Sequence, residues 1–119
     1  MNKKEIFSKV SRHLLEQKKK SKAGKRCAYR SRDGLKCAIG CLIPDEIYSP
    51  NIESYSVCHP RVMNLLKKVG ISEYQIEFLI KLQTVHDDHP ARSWKKQLAN
   101  VANCYKIPTK ALDEIETGE

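Results

Sequence analysis

Residues 26–39, which read RCAYRSRDGLKCAI, decide the fold class. Two short runs, CAYR and LKCAI, flank the sequence SRDG at positions 31–34. Asp-Gly is a strong signal for a hairpin turn, so the pattern predicts a small β-hairpin that pairs residues 26–30 with residues 35–39. The run AIGCLI that follows also suits a short helix, in which Gly40 would allow a close backbone approach.

On both sides of this segment the apolar residues recur at helical spacing. Ile6, Val10 and Leu14 predict a first helix, and the turn at 21–24 is expected to end it, with Gly24 left-handed. The predicted helices cover residues 2–20, 60–69, 72–86 with Ile76, Leu79, Ile80 and Gln83 inward, 90–105 with Trp94 in the core, and a short stretch from Pro108 that contains Leu112 and Ile115. A further helix start is predicted at Pro44, and residues 49–59 are expected to be a loop.

These elements predict an α+β protein, mainly α-helical, built as a single-domain bundle of about five helices with one small hairpin. A chain of 119 residues has the length of one domain. Within it we expect a basic N-terminal helix and turn at 1–25, the hairpin and remaining helices at 26–116, and a frayed tail at 117–119.

Composition excludes several classes of protein. Apolar residues make up 40% of the chain and charged residues 30%, which excludes collagen, low-complexity chains and disordered tails. No apolar run approaches the roughly 18 residues of a membrane span, and the opening MNKKEIFSKV has no signal-peptide pattern. The five cysteines are odd in number, which argues against a disulfide framework. We therefore expect a cytoplasmic protein with no membrane partner.

Positive charge is concentrated at one end of the chain. Residues 1–36 hold thirteen Lys or Arg against three acidic residues, whereas residues 37–119 hold nine against eleven. The peak is six cations within the nine residues 18–26. Such a cluster attracts phosphate-bearing or acidic partners, although a lysine-rich helix end exposed only to solvent has the same composition.

The candidate binding residues are the cations of this end of the chain together with one aromatic residue. They are Lys18, Lys19, Lys20, Lys22, Lys25, Arg26, Arg30 and Arg32 for anion contact, with Tyr29 as a stacking surface. The sequence contains neither a phosphate-binding glycine motif nor an RNA-reading or zinc-finger signature. Sequence-specific recognition of nucleic acid is therefore not expected, whereas non-specific binding is compatible with the pattern.

A nucleophilic site is the alternative hypothesis. Cys37, His86 and Asp87 occur in an order that would suit a thiol, its base and an orienting carboxylate. Chain order is weak support, because such triads are defined by geometry. Neighbouring residues on a helix do not face each other, so Asp87 or Asp88 is expected to cap the helix that starts near Pro90, and Cys37 is expected in the core.

A metal site is a weaker alternative, for which the available ligands are Cys37, Cys41, Cys58 and His59. The chain has no C-x-x-C pair of the kind that zinc sites use. We therefore expect neither a metal nor a cofactor.

Two stretches, DGLKCAIGCLIPDEIY at 33–48 and LQTVHDDHPARSW at 82–94, resemble a group of small phage and prophage proteins with no assigned activity. The resemblance covers residues 27–105. The matching positions are Asp33, Gly34, Cys37, Ala38, Gly40, Asp45, Glu46, Tyr48, His86, Asp87 and Trp94. It implies a viral or prophage origin and expression in a bacterial cytoplasm, but it implies no reaction.

The sequence therefore favours a small phage-type accessory protein without enzymatic activity. Its expected partner is a host or defence macromolecule, or an anionic nucleotide-like ligand, bound through the basic N-terminal face. The alternatives are the Cys37 enzyme and a structural or assembly protein whose basic face meets an acidic protein. A homodimer is compatible with the pattern, but nothing in the sequence requires one.

Overall fold

Helix α1 spans Lys3–Gln17, and its own sequence fixes both ends. The Asn2 side chain accepts from the N–H of Glu5 while the Glu5 carboxylate accepts from the N–H of Asn2, which forms a capping box. At the other end Lys18 adopts a left-handed conformation (φ 62°), and its N–H donates to the carbonyl of Leu14. The helix therefore ends three residues before the predicted boundary at residue 20.

The computed structural model describes residues 1–113 and residue 115. The predicted frayed tail at 117–119 lies outside the described residues. Within the described part, the remaining helices are α2 (Pro60–Lys68), α3 (Ile76–Asp88), α4 (Trp94–Cys104) and a single turn, α5 (Lys110–Asp113). These helices correspond to the predicted ones, and the fold is mainly helical α+β as the sequence indicates.

The strands lie earlier in the chain than predicted. Strands β1 (Lys22–Ala23) and β2 (Arg26–Cys27) pair antiparallel around a turn that contains left-handed Gly24 (φ 66°). Gly24 thus belongs to a hairpin turn and does not end the first helix. The predicted pairing of 26–30 with 35–39 is reduced to one isolated bridge between Arg30 and Lys36.

A carboxylate explains why the predicted hairpin does not extend. The N–H groups of Tyr29 and Arg30 donate to the two oxygens of Glu53, at 3.0 and 3.1 Å. The N–H of Tyr29, which a longer ladder would pair with the opposite strand, is therefore satisfied by a side chain 24 residues away, whereas the N–H of Arg30 points away from that strand.

Residues 40–59, which follow the SRDG turn, contain less helix than the sequence predicts. Residues Gly40–Leu42 form one 3-10 turn, as the alternative interpretation of AIGCLI allowed. The prediction of a helix from Pro44 is wrong, since the Pro44 carbonyl accepts from the N–H groups of Ile47 and Tyr48 in a single turn. The predicted loop at 49–59 contains a 3-10 turn, Pro50–Ile52.

Helices α1, α3 and α4 and the segments between the helices all contribute to the core. Trp94 is fully buried on α4 as predicted, and its Nε1 donates to the carbonyl of His89. On α3 the inward face differs from the expected one, because Phe78 and Leu82 are buried while Ile80 is 45% exposed. The largest fully buried side chains are Trp94, Phe7, Phe78, Ile6, Leu14, Ile39, Leu42, Ile43, Ile52, Leu66, Ile71 and Leu79.

Candidate functional site

The loop and hairpin at residues 18–27, hereafter the basic segment, is anchored through Ser21. The N–H of Ser21 donates to Nε2 of His86 at 2.9 Å, and its hydroxyl donates to the carbonyl of Leu35 at 3.2 Å. The Ser21 carbonyl accepts from the N–H of Ala28. Because Ser21 and His86 are both fully buried, these bonds are shielded from water and fix the segment to the body of the protein.

Two further side chains hold the segment from its edges. Gln17 donates to the carbonyls of Lys19 and Lys36, and its own carbonyl oxygen accepts from the N–H of Lys36. The Lys20 ammonium donates to the backbone carbonyl of Asp87 at 3.1 Å. The chain on either side of the SRDG turn is thereby held beside the basic segment.

Six of the predicted anion-contacting residues are exposed, and we call them the basic face. They are Lys18, Lys19, Lys22, Lys25, Arg26 and Arg32. None of the six forms an ion pair with an acidic residue among those that the structure describes. Their charges are therefore available to a partner, and Lys20, half-buried beside them, is already engaged with the backbone.

Two of the predicted contact residues are placed otherwise. The Tyr29 ring is 7% exposed and its hydroxyl donates to the carbonyl of Tyr55, so its faces are not available for stacking. The Arg30 guanidinium pairs with Asp45 at 2.7 Å and lies over the ring of Tyr48 at 4.3 Å. The structure therefore places Tyr29 in the core and Arg30 in an ion pair, whereas the sequence indicated stacking and anion contact.

The alternative catalytic trio is only partly brought together. His86 Nδ1 lies 2.7 Å from Oδ1 of Asp87, so the expectation that these neighbours would not face each other was wrong. Cys37 is fully buried, and its sulfur accepts from the N–H of Gly40. Burial raises the pKa of Cys37 to about 12, so this thiol stays protonated at neutral pH.

The cysteine that joins the pair is Cys27. Ligand-type atoms of Cys27, His86 and Asp87 all lie within 4.8 Å of one another. Burial and the Asp87 carboxylate raise the pKa of Cys27 to about 11. Sequence reasoning missed Cys27, since 59 residues separate it from His86 and no local pattern links them.

The hydrogen bonds of His86 determine what this cluster does. Because Ser21 donates to Nε2, that nitrogen carries the lone pair and Nδ1 carries the proton that it donates to Asp87. Neither ring nitrogen is free to take a proton from Cys27. The cluster therefore has the chemistry of a buried polar anchor, and it lacks an activated nucleophile.

The same hydrogen bonds do not suit a metal. A cation on Nδ1 would leave the proton on Nε2, where it would oppose the N–H of Ser21. The residues predicted for a metal do not cluster within the described part of the chain, where Cys27, His86 and Asp87 form the single group of three such ligands. The Cys41 thiol donates to the carbonyl of Ala38, Cys58 contacts Ser56, and His59 caps α2.

A groove of about 660 Å³ opens beside the basic segment. Its lining includes Arg26, Cys27, Tyr55, Ile80, Thr84 and Asp88. The volume falls within the range of small-ligand pockets.

Tyr55 gives this groove an aromatic surface. The ring is 37% exposed and is stacked on His59, with ring centroids 4.0 Å apart. The Arg61 guanidinium lies 5.5 Å from the same ring. The exposed aromatic surface near the basic segment is thus Tyr55, whereas the sequence indicated Tyr29.

Comparison with protein-family models, with curated proteins and with solved structures gave no match. Among the described residues, no helix is both long enough and apolar enough to cross a membrane.

Proposed function

We propose that this chain is a small phage-type accessory protein that binds a phosphate-bearing host macromolecule, namely nucleic acid, without catalysing a reaction. The observation that carries the proposal is the basic face, six exposed cations without ion pairs among the described residues. The phage origin comes from the sequence resemblance, which also suggests a bacterial cytoplasm as the site of action.

Two carboxylates near the basic segment, those of Asp45 and Asp87, are engaged with other groups. Asp45 pairs with Arg30 and Lys36, at 2.7 and 3.7 Å. Asp87 accepts from His86 and from the side-chain amide of Gln83. Exposed cations on an anchored segment lose little conformational entropy of the backbone on binding, which favours contact with a polyanion.

The distribution of the cations favours a macromolecule over a free nucleotide. Of the six residues of the basic face, Arg26 alone lines the groove. The others lie along an exposed loop, hairpin and turn, which suits successive phosphates of a backbone.

The test is fluorescence anisotropy of a labelled DNA strand at several salt concentrations. The affinity should fall steeply as salt rises, by roughly tenfold or more between about 50 and 200 mM. The variant Lys22→Glu, Lys25→Glu, Arg26→Glu should weaken binding at least about tenfold, since three cations become anions.

A matched control separates this surface from net charge. Lys68→Glu, Lys81→Glu and Lys96→Glu together change the charge equally, at exposed lysines without ion pairs among the described residues. This variant should bind much more tightly than the basic-face variant. Equal losses in the two variants would contradict the proposal, and so would a wild-type protein that binds no nucleic acid. Binding to an acidic protein in place of nucleic acid would favour the assembly alternative.

A further inference from the structure

We infer that the groove receives an unstacked base of a single-stranded nucleic acid whose backbone lies on the basic face. This inference rests on the proposed function and names the form of nucleic acid that the surface recognises. It is carried by the position of the groove, by its aromatic surface and by the polar groups at its mouth.

The groove and the basic face share residues, so one strand can contact both. Arg26 belongs to the basic face and lines the groove, next to Cys27. Asp87 also lines the groove, and its carbonyl holds the Lys20 ammonium. A strand whose phosphates follow the hairpin therefore passes directly over the mouth of the groove.

Tyr55 is a preorganised stacking surface. One face of the ring is covered by His59, which lies nearly parallel to it with an interplanar angle of 14°. The Tyr55 carbonyl accepts from the buried hydroxyl of Tyr29 at 2.6 Å, which ties this residue to the core. An aromatic ring held in place in this way offers the part of its surface that His59 and Arg61 leave uncovered to a base at little entropic cost.

The polar lining is complementary to a base and unfavourable for a phosphate. Asp88 is exposed at the end of α3, with no ion pair among the described residues, and Asp87 lies beside it. Carboxylates accept from the amino groups of cytosine, adenine or guanine and repel phosphate oxygens. The groove should therefore take the base, while the phosphates remain on the basic face.

A duplex does not satisfy this arrangement, because a paired base is held in the stack and must be flipped out before it can enter a groove. A free nucleotide would fill the groove but would leave most cations of the basic face without a phosphate. A single strand satisfies both surfaces together.

The experiment compares labelled oligo-dC, oligo-dT and a duplex of equal length by anisotropy. The protein should bind oligo-dC more tightly than the duplex, and oligo-dT should bind less tightly than oligo-dC. Tyr55→Leu should weaken binding of oligo-dC roughly 5- to 50-fold and leave duplex binding unchanged. Tyr74→Leu is the matched control, because Tyr74 is 97% exposed and lies outside the groove.

A second variant guards against a folding defect in the first. Asp88→Asn changes one exposed side chain and should reduce the preference for oligo-dC over oligo-dT without weakening oligo-dT binding. Thermal unfolding of each variant provides the check on folding.

The outcomes separate the two proposals. Equal binding of duplex and single strands, or a Tyr55→Leu variant that binds as the wild type does, would overturn the groove assignment and leave the basic face in place. A wild-type protein that binds neither the single strands nor the duplex would overturn the proposed function itself. Competition by free dCMP as strong as that by oligo-dC would assign the groove to a nucleotide and overturn the single-strand assignment.

Discussion

The basic segment and the region that follows it, residues 28–53, hereafter the inner region, use cationic side chains in different ways. On the basic segment, Lys22, Lys25 and Arg26 are exposed without ion pairs among the described residues. In the inner region, Arg30 pairs with Asp45 and donates to the carbonyl of Ile43 at 2.6 Å. Formal charge does not distinguish these cations, whereas only those of the basic face, which include Arg32 of residues 28–53, are available to a partner.

The two regions also differ in how they are held. Glu53 joins three donors of the inner region, the N–H groups of Tyr29 and Arg30 and the hydroxyl of Tyr48. The basic segment is attached through several single contacts, among them those of Ser21 with His86 and of Lys20 with the Asp87 carbonyl. Changes in the inner region should therefore affect stability, and changes in the outer segment should affect binding.

The strongest test of this contrast exchanges glycine for alanine in each region. A Cβ on Gly40 would lie 1.9 Å from the carbonyl oxygen of Tyr29, so Gly40→Ala must force two backbone segments apart. We expect the free energy of unfolding to fall by about 3 kcal/mol or more. Urea unfolding followed by circular dichroism measures this change.

Gly24→Ala is the outer counterpart. An added Cβ meets nothing within 4 Å, and the cost is confined to the left-handed backbone conformation at φ 66°. We expect a loss of about 1 kcal/mol. Comparable losses at Gly40 and Gly24 would show that the inner region is not the more constrained of the two.

The next largest effect is expected at Glu53. Replacing it with alanine leaves up to three donors without their acceptor, which should lower the free energy of unfolding by about 2–4 kcal/mol. The exposed Glu46→Ala variant serves as control and should stay within about 0.5 kcal/mol of the wild type. A Glu53→Ala protein as stable as this control would show that Glu53 does not stabilise the inner region.

The helices could be predicted because their determinants are local. The capping box of Ser72 and Gln75 precedes α3, and buried Leu112 and Ile115 follow the period read from the sequence. The hairpin could not be located, because Arg26 and Cys27 pair with β1 and Glu53 takes the Tyr29 N–H that a longer pairing with 35–39 would have used. A partner so distant along the chain leaves no periodic pattern in the sequence.

The candidate site was predictable only in its charge. The run of cations is contiguous, so the basic face is visible in the sequence. Which cysteine meets His86 depends on the packing of the hairpin against α3, and this places Cys27 there in preference to Cys37. The exposure of Tyr55 and the burial of Tyr29 depend likewise on how the loop at 49–59 folds back.

The reactivity of Cys27, the last residue of the basic segment, tests whether the cluster with His86 and Asp87 contains an activated thiol. With a pKa of about 11 against its ordinary value of 9.0, Cys27 carries roughly 100-fold less thiolate at neutral pH. We expect iodoacetamide to modify Cys27 of the folded protein far more slowly than in the unfolded chain, as measured by peptide mass spectrometry. Rapid, selective alkylation of Cys27 would revive a nucleophilic role for the cluster.

The smallest expected effect is on the free energy of unfolding at acid pH, and it arises where His13 of α1 contacts the inner region. His13 Nε2 lies 2.8 Å from the carbonyl oxygen of Lys36, so Nε2 carries the proton and donates. Burial lowers the pKa of His13 below its ordinary value of 6.5. The unfolded chain therefore binds a proton at His13 more readily than the folded one, and stability should decline as the pH falls from about 6.5 toward the pKa of the folded state.

His13→Gln retains a donor for the Lys36 carbonyl but does not titrate, so part of this decline should disappear. The measurement is the free energy of urea unfolding between about pH 5 and pH 7. His89→Asn is the matched control, because the His89 ring makes no hydrogen bond within the described residues and its removal should leave the slope unchanged. A slope that is equally steep in His13→Gln and in the wild type would exclude His13 as its source.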